Sequence, residues 1–275
     1  MHTTDASAGA GTARNAPPAL LPAALLAGAA LFLFGFELDL VGYPLLAAAL
    51  LTGFAGSREL GRDTLLIGAG LGVVSLTSVA ADVSWPSFFR IGTVLALAVI
   101  VPVALDRLVF RRRVIRFPWR SRQKKSRAEI AYLIAVPVLG WLILPFYFVS
   151  SGAYQNWPSL VDGGELARFF VGVNAVGTWD ELFFICITFA LLRRHLPLWP
   201  ANLLTAVIFV SFLWELGYRS WGPLLTFPFA LLQGYLFDKT KSLGYVLIVH
   251  LLFDAIVFLA IVNAHHPGTI PFFLG

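Results

Sequence analysis

The residues most able to do chemistry lie in apolar segments of the C-terminal half of the chain. Asp180 and Glu181 are adjacent, and His250 and Asp254 stand four residues apart in a later segment. A carboxylate in hydrocarbon costs roughly 2.5–3.5 kcal/mol even on a lenient insertion scale, so ionisable residues in such segments are functional candidates by default. The sequence therefore predicts a buried polar site built from acids and a histidine.

The acidic pair could activate water. Adjacent residues project about 100° apart on a helix, so one of Asp180 and Glu181 can face a cavity while the other braces it or pairs with a neighbour. A carboxylate sheltered from bulk water can take a proton from a water molecule and act as a general base. The alternative is an acidic pair neutralised in a salt bridge, for which Arg168 and Arg219 are the nearest candidates in the sequence.

His250 and Asp254 share one helical face, because residues spaced i, i+4 are neighbours on a helix. A histidine beside a carboxylate can polarise water, hold an oxyanion or relay protons. The pair could also ligate a divalent metal, but so few ligands of mixed type are only weak support for one, and the sequence predicts no cofactor. The alternative for His250 is hydrogen bonding inside a helical bundle.

Glu215 and Tyr218 extend the candidate site to the segment between these two groups. Glu215 stands inside an apolar run, where its alternative is a pair with Arg219 at i, i+4. Tyr218 could donate a hydrogen bond to an oxyanion, and its alternative is a place in an interfacial aromatic belt. The adjacent residues His265 and His266 follow the last apolar run and are interpreted as a solvated tail.

Composition excludes a soluble globular protein. Hydrophobic residues make up 58% of the 275 positions and charged residues only 13%, against about 25% charged residues in soluble domains. Nine apolar runs approach the ~20 residues that a bilayer-spanning helix needs. The predicted spans are roughly 19–36, 40–56, 64–80, 88–108, 130–150, 167–192, 199–217, 222–237 and 243–263. The predicted fold class is therefore an all-α integral membrane protein with about nine transmembrane helices.

The basic residues set the predicted orientation. A loop at 109–128 holds a dense run of arginine and lysine, so the positive-inside rule places it in the cytoplasm. That choice leaves only Arg90, Arg168 and Arg219 on the opposite side, with the N-terminus cytoplasmic and the C-terminus outside. The loop is expected to contact the lipid bilayer and its anionic lipids rather than nucleic acid, and a bacterial inner membrane is the expected location.

The chain divides by composition into five parts. They are a disordered tail at 1–17, a four-helix membrane scaffold at 18–108, the basic cytoplasmic loop at 109–128, a helical domain at 129–264 and a tail at 265–275. The first four spans are rich in alanine, leucine and glycine and carry little charge inside, so they are interpreted as packing scaffold.

Three short motifs, in this order, resemble the CPBP family, which comprises the type II CAAX prenyl endopeptidases and their bacterial relatives, the Abi proteins. The family pattern is EExxxR on one span, FxxxH on a later one and HxxxN or HxxxD on the last. Here the last motif stands as His250-Leu-Leu-Phe-Asp254. The first is represented by Asp180-Glu181-Leu-Phe-Phe-Ile185.

The resemblance covers roughly residues 165–260 and departs from the family pattern at three positions. The first acid is Asp180 instead of glutamate, Ile185 replaces the arginine, and Tyr218 replaces the histidine of the second motif. Aspartate is one methylene shorter than glutamate, so a base there could be displaced by about 1 Å, which can lower a rate about 10²-fold. A neutral phenol can donate a hydrogen bond but cannot replace imidazolium.

The resemblance implies a role for each candidate residue. Asp180 would be the base that activates water, with Glu181 as its neighbour. His250 and Asp254 would polarise the site. Glu215 could take over the role of base from the seventh span.

The predicted function is intramembrane endopeptidase activity on a membrane-anchored peptide or protein, carried by a CPBP-like helical core in the C-terminal half, at 129–264. Water would attack a peptide carbonyl in a polar cavity between the sixth, seventh and ninth spans. One alternative is a non-catalytic relative that binds a partner or acts as a membrane chaperone, which the replaced arginine and histidine favour. Another is a proton-coupled transporter, which requires a continuous polar path to both membrane faces.

Overall fold

The computed structural model describes residues 19–120 and 125–270, and these residues form helices and connecting loops without a β-strand. The predicted tail at 1–17 and the end of the predicted tail at 265–275 lie outside the described residues. Nine long helices follow one another in the described part. They are α1 (Leu20–Gly35), α2 (Asp39–Gly56), α3 (Arg58–Val74), α4 (Trp85–Val109), α5 (Arg127–Ser151), α6 (Gly163–Leu192), α7 (Leu198–Leu216), α8 (Pro223–Thr240) and α9 (Leu243–His265). The predicted all-α fold is confirmed, and every predicted span overlaps one of these helices.

Six of the nine helices are long and apolar enough to cross a membrane, so the chain is an integral membrane protein. They are α2, α4, α5, α6, α7 and α9, while α1 is a shorter apolar helix. The third predicted span, at 64–80, is displaced, because α3 begins at Arg58 and ends at Val74. The first turns of α3 contain charged residues, so they do not look like part of an apolar span in the sequence.

Polar side chains fix where the helices of the C-terminal half begin. Asp162 accepts hydrogen bonds from the backbone N–H groups of Gly164 and Glu165 and so starts α6. Ser242 accepts from the Tyr245 N–H and starts α9. Such caps satisfy backbone donors that the first helical turn leaves free. The two helices that carry the acidic pair and the histidine therefore have defined starting points.

The loops meet at two opposite ends of the bundle. The end that we call the basic end comprises residues 57, 110–120, 193–197 and 241–242. The end that we call the distal end comprises residues 36–38, 75–84, 152–162 and 217–222. An ion pair joins two loops of the distal end, where Arg219 lies 3.1 Å from Glu37. Which end faces the cytoplasm stays a prediction.

The predicted basic loop at 109–128 is partly built into the bundle. Residues 110–120, which we call the strap, lie against the start of α9, where the Leu243 N–H donates to the Pro118 carbonyl at 2.7 Å. Residues 121–124 lie outside the described residues. The strap therefore helps to hold the helix that carries the candidate histidine.

A cluster of ion pairs anchors the strap to α3. Arg112 lies 2.6 Å from Glu59 and 2.8 Å from Asp63, and its guanidinium holds the pKa of Glu59 below its usual value. Asp63 is 1% exposed. Its Oδ2 also lies 2.7 Å from Arg194 and 2.8 Å from His195, which both follow the end of α6. A buried carboxylate requires such partners. The cluster therefore joins α3, α6 and the strap at the basic end.

His265 and His266 do not form a solvated tail, which corrects the sequence prediction. α9 continues through His265, whose Nε2 lies 3.0 Å from the Tyr154 carbonyl oxygen and 2.9 Å from that of Trp157. Nε2 of His266 lies 3.3 Å from the Ser159 hydroxyl. These contacts attach the end of α9 to the loop between α5 and α6.

Candidate active site

The acidic pair lies at a change of helix type within α6. The residues Gly163–Asp180 are α-helical, and the residues Glu181–Phe189 are π-helical. π-Helical segments are rare in proteins, and those that do occur often lie at functional sites. The transition therefore falls between the two acids, at the point where they meet α9.

Three carboxylates surround the imidazole of His250. Its Nδ1 lies 2.7 Å from Glu181 Oε1, while its Nε2 lies 3.7 Å from Asp180 Oδ2 and 3.8 Å from Asp254 Oδ1. The four residues are between 0% and 5% exposed. The structure thus brings together four of the six residues predicted for the site.

Gln233 of α8 also belongs to this group, and sequence reasoning assigned it no role. Its Nε2 donates to Glu181 Oε1 at 2.6 Å and to the Val246 carbonyl at 3.1 Å. The side chain is 0% exposed. A wholly buried amide in an apolar helix is the signal that could have found it, because buried polar groups need hydrogen-bond partners.

The two adjacent acids have different surroundings. Glu181 Oε1 is held between Gln233 and His250, whereas Asp180 lines a cavity, as do His250 and Asp254. Asp180 Oδ1 and Asp254 Oδ2 are buried and have no hydrogen-bond partner among the described residues, and the same holds for Glu181 Oε2. Asp180 and Asp254 are therefore the carboxylates placed to meet a bound molecule, and Glu181 is placed to orient His250.

The cavity has a volume of about 270 Å³ and lies between α4, α6, α7, α8 and α9. Asp180, His250 and Asp254 stand at one end of it, and Asp82 of the distal end and Arg168 near the start of α6 line the other. The walls between these ends are chiefly apolar. The predicted polar cavity of the sixth, seventh and ninth spans is thus corrected, since α4 and α8 contribute and most of the lining is hydrocarbon.

Tyr218 lines the same cavity and is 7% exposed. Its ring packs edge-on against Trp157, with centroids 5.2 Å apart, and lies tilted against Phe148 at 6.1 Å. Gly217 precedes it with φ of 132°, a conformation that favours glycine and turns the chain after α7. Tyr218 is therefore a buried side chain of the cavity wall and not part of an exposed aromatic belt.

Glu215 is not brought to the histidine. It accepts a hydrogen bond from the Val79 N–H at 3.2 Å and so ties α7 to the loop between α3 and α4. Arg219 pairs with Glu37, and Arg168 donates through Nε to the Val83 carbonyl at 3.0 Å. Neither arginine therefore neutralises the acidic pair in the way the salt-bridge alternative required.

Gly177 allows α6 to approach α9 at the site. A Cβ added at this position would overlap Oδ2 of Asp254 and would lie 3.1 Å from Cδ2 of His250. Residues three apart are neighbours on a helix, so Gly177 stands beside Asp180. Its missing side chain makes the space that the Asp254 carboxylate occupies.

Gln233 supports a first testable expectation for the site. Replacing it with leucine removes the donor to Glu181 while keeping a side chain of similar size. A hydrogen bond to a charged group contributes about 1.5–3 kcal/mol, so we expect Gln233→Leu to lower kcat/KM by about 10–100-fold. If the chain has the endopeptidase activity that the sequence resemblance implies, cleavage kinetics in proteoliposomes would measure this change, and Gln233→Glu would not restore the rate because it places a second acid against Glu181. Unchanged kinetics in a folded Gln233→Leu variant would contradict a positioning role.

Metal binding finds little support in the geometry. The parts of the chain that the structure describes hold no group of three or more histidine, cysteine, aspartate or glutamate side chains suited to a metal ion. The expectation that no cofactor is needed stays a prediction.

Residues 162–256 match the family model described as "Type II CAAX prenyl endopeptidase Rce1-like". No curated protein and no solved structure matches the chain. The matched segment starts at the Asp162 cap of α6 and ends within α9, so it contains all the residues that surround His250. α1 to α5 lie outside it.

Proposed function

We propose that the protein is an intramembrane endopeptidase, because residues 162–256 match the Rce1-like model of type II CAAX prenyl endopeptidases. It hydrolyses a peptide bond in a membrane-anchored peptide or protein. The observation that carries the proposal is the convergence of Asp180 and Asp254 on Nε2 of His250 at the end of an apolar cavity.

The proposal assigns a role to each residue of the site. Asp180 takes a proton from water, and the resulting hydroxide attacks the carbonyl carbon of the substrate. The Tyr218 hydroxyl and His250, whose Nδ1 is held by Glu181, stabilise the oxyanion of the tetrahedral intermediate. Asp180 then gives its proton to the leaving amine, so the products are a carboxylic acid and an amine. Asp254, whose Oδ2 has no partner among the described residues, binds the polar group of the substrate beside Nε2 of His250.

The remaining features of the proposal concern the surroundings of the protein. The strap and the residues around it present arginines that suit anionic lipid headgroups. The basic end would face the cytoplasm of a bacterial inner membrane, with the N-terminus on the same side and the C-terminus outside. No cofactor is included.

Cleavage in proteoliposomes tests the proposal. The substrates are a library of single-span and C-terminally lipidated peptides, and the wild type is compared with His250→Ala. We expect cleavage by the wild type and a fall in kcat of at least about 10²-fold in the variant. The variant loses a group that stabilises the oxyanion, and it also loses the imidazole that contacts all three carboxylates. His266→Ala is the matched control, since this histidine lies near the surface and contacts Ser159. Equal cleavage by His250→Ala would remove this histidine from the mechanism.

Binding without hydrolysis is the second candidate function. Ile185 stands where the family pattern has arginine, and Tyr218 where it has histidine. This candidate predicts peptide binding but no product from any form of the protein. The transporter alternative gains no support, because the cavity is lined by loop residues of the distal end and, among the residues that the structure describes, by none of the basic end.

A further inference from the structure

The cavity has a wall that lies outside the segment matched by the family. α4 contributes Phe88, Ile91, Gly92 and Leu95 to its lining, and α4 precedes residue 162. The facing wall belongs to α6. Any selectivity that α4 confers is therefore a property of this chain's own N-terminal half, which the sequence had suggested was only packing scaffold.

The gap between α4 and α6 at Gly92 and Gly172, which we call the seam, is open at its outer edge. A Cβ added to Gly92 would meet nothing within 4 Å, and one added to Gly172 would meet only Phe88, at 3.9 Å. Gly92 is exposed and Gly172 is half-buried. Because α4 and α6 are both long enough to span a membrane, an opening between them faces the lipid.

The polar groups at the inner end indicate that the opening leads to a ligand. Asp180 Oδ1 and Asp254 Oδ2 are buried, line the cavity and have no partner among the described residues. Buried polar atoms in proteins are nearly always satisfied. A molecule with an apolar body and a polar group at one end would fit both the walls and these oxygens.

The length of the cavity indicates how much of a substrate it holds. Arg168, near the start of α6, and Asp180, at the inner end of the cavity, both belong to α6, and at ~1.5 Å per residue they are about 18 Å apart along it. An extended peptide covers about 3.3–3.6 Å per residue. About five residues of a substrate would therefore line the cavity between the two positions.

We propose that α4 is a substrate-selecting wall, and that an extended apolar peptide segment next to the scissile bond lies between α4 and α6. It enters through the seam at Gly92 and Gly172, where the missing side chains leave room for those of the substrate. The proposal rests on the proposed endopeptidase function for the identity of the bound molecule.

Photocrosslinking tests the wall separately from hydrolysis. The probe is a single-span peptide of leucine and alanine with a photoreactive phenylalanine derivative at successive positions, bound to Asp180→Asn protein in proteoliposomes. We expect crosslinks to α4, found by mass spectrometry, and a loss of about tenfold when Gly92→Phe fills the seam, since small changes in pocket volume change discrimination by about 10–200-fold. Gly92→Leu is a second, smaller block if the phenylalanine variant does not fold.

Gly72→Phe is the matched control, because a Cβ at Gly72 on α3 also meets nothing within 4 Å and this residue does not line the cavity. Crosslinks that avoid α4, or that persist at wild-type level in folded Gly92→Phe and Gly92→Leu, would overturn the proposal. Crosslinks to α4 in a protein whose wild type cleaves no peptide would instead contradict the endopeptidase function and leave the wall in place.

Discussion

Replacing Asp180 with asparagine is expected to abolish cleavage almost completely, with kcat lowered by about 10²–10⁴-fold. Asparagine keeps the size of the side chain but cannot accept a proton from water. Asp180 is the member of the acidic pair that lines the cavity, and its Oδ1 has no partner among the described residues. Initial rates in proteoliposomes would measure the effect, with thermal unfolding in detergent to show that the variant folds.

Glu181→Gln is the comparison that gives this result its meaning. An amide oxygen at this position can still accept hydrogen bonds from Gln233 and His250, so we expect a loss of only about tenfold, from weaker bonds to a neutral group. The order of the two losses identifies the base. A larger loss in Glu181→Gln than in Asp180→Asn would assign proton transfer to Glu181 and refute the proposed roles.

Replacing Gly177 with alanine is expected to lower kcat by about 10²-fold without removing any polar group, because a displacement of about 1 Å at a reacting group can have this effect. The added methyl group would overlap Oδ2 of Asp254 and crowd His250. Either the carboxylate turns away or α6 and α9 move apart, and both outcomes disturb the site. Steady-state kinetics would measure the loss, and KM should change less than kcat because the cavity walls remain.

Gly140→Ala is the matched control for this substitution. A Cβ at Gly140 on α5 would lie 3.6 Å from Ile256 and Leu144, which is ordinary contact distance. It adds the same methyl group to another packed helix outside the cavity. If both glycine variants lost activity equally, general loosening of the bundle would explain the result better than displacement of Asp254.

The helices could be predicted from the sequence wherever apolar residues fill the segment. α6, α7 and α9 lie within a few residues of their predicted spans. The span predicted for α3 is displaced because Glu59 and Asp63 are charged, and charged residues are typical of loops. In the folded chain Arg112 and Arg194 neutralise them. Such long-range pairs cannot be read from local sequence.

The acids and the histidine of the site could also be found, because charge in an apolar segment is conspicuous. The difference between the surroundings of Asp180 and Glu181 could not be found in the sequence. It depends on which carboxylate Gln233 contacts, and that residue donates to Glu181 Oε1. Glu215 shows the opposite error. It stands in an apolar helix like the others, but its partner is a backbone N–H of a distant loop, and only the folded chain reveals that contact.

The contribution of α4 to the cavity was equally invisible in the sequence. Its one glycine and its many branched residues have the composition of a packing helix, and composition does not distinguish a surface that contacts another helix from one that lines a cavity. Only the position of α4 opposite α6 distinguishes them.

The π-helical stretch from Glu181 to Phe189 affects how the chain can tolerate changes of length. Its backbone bonds close over one more residue than those of an α-helix, so the stretch behaves like a place where an extra residue has been accommodated. Losing a residue there could be absorbed by a return to regular winding. Losing one between Gly163 and Asp180 would turn one part of the helix against the other by about 100° and point Asp180 or Gly177 away from His250. Single-residue deletions in homologous chains should therefore be tolerated after the acidic pair, within Glu181–Phe189, and excluded before it.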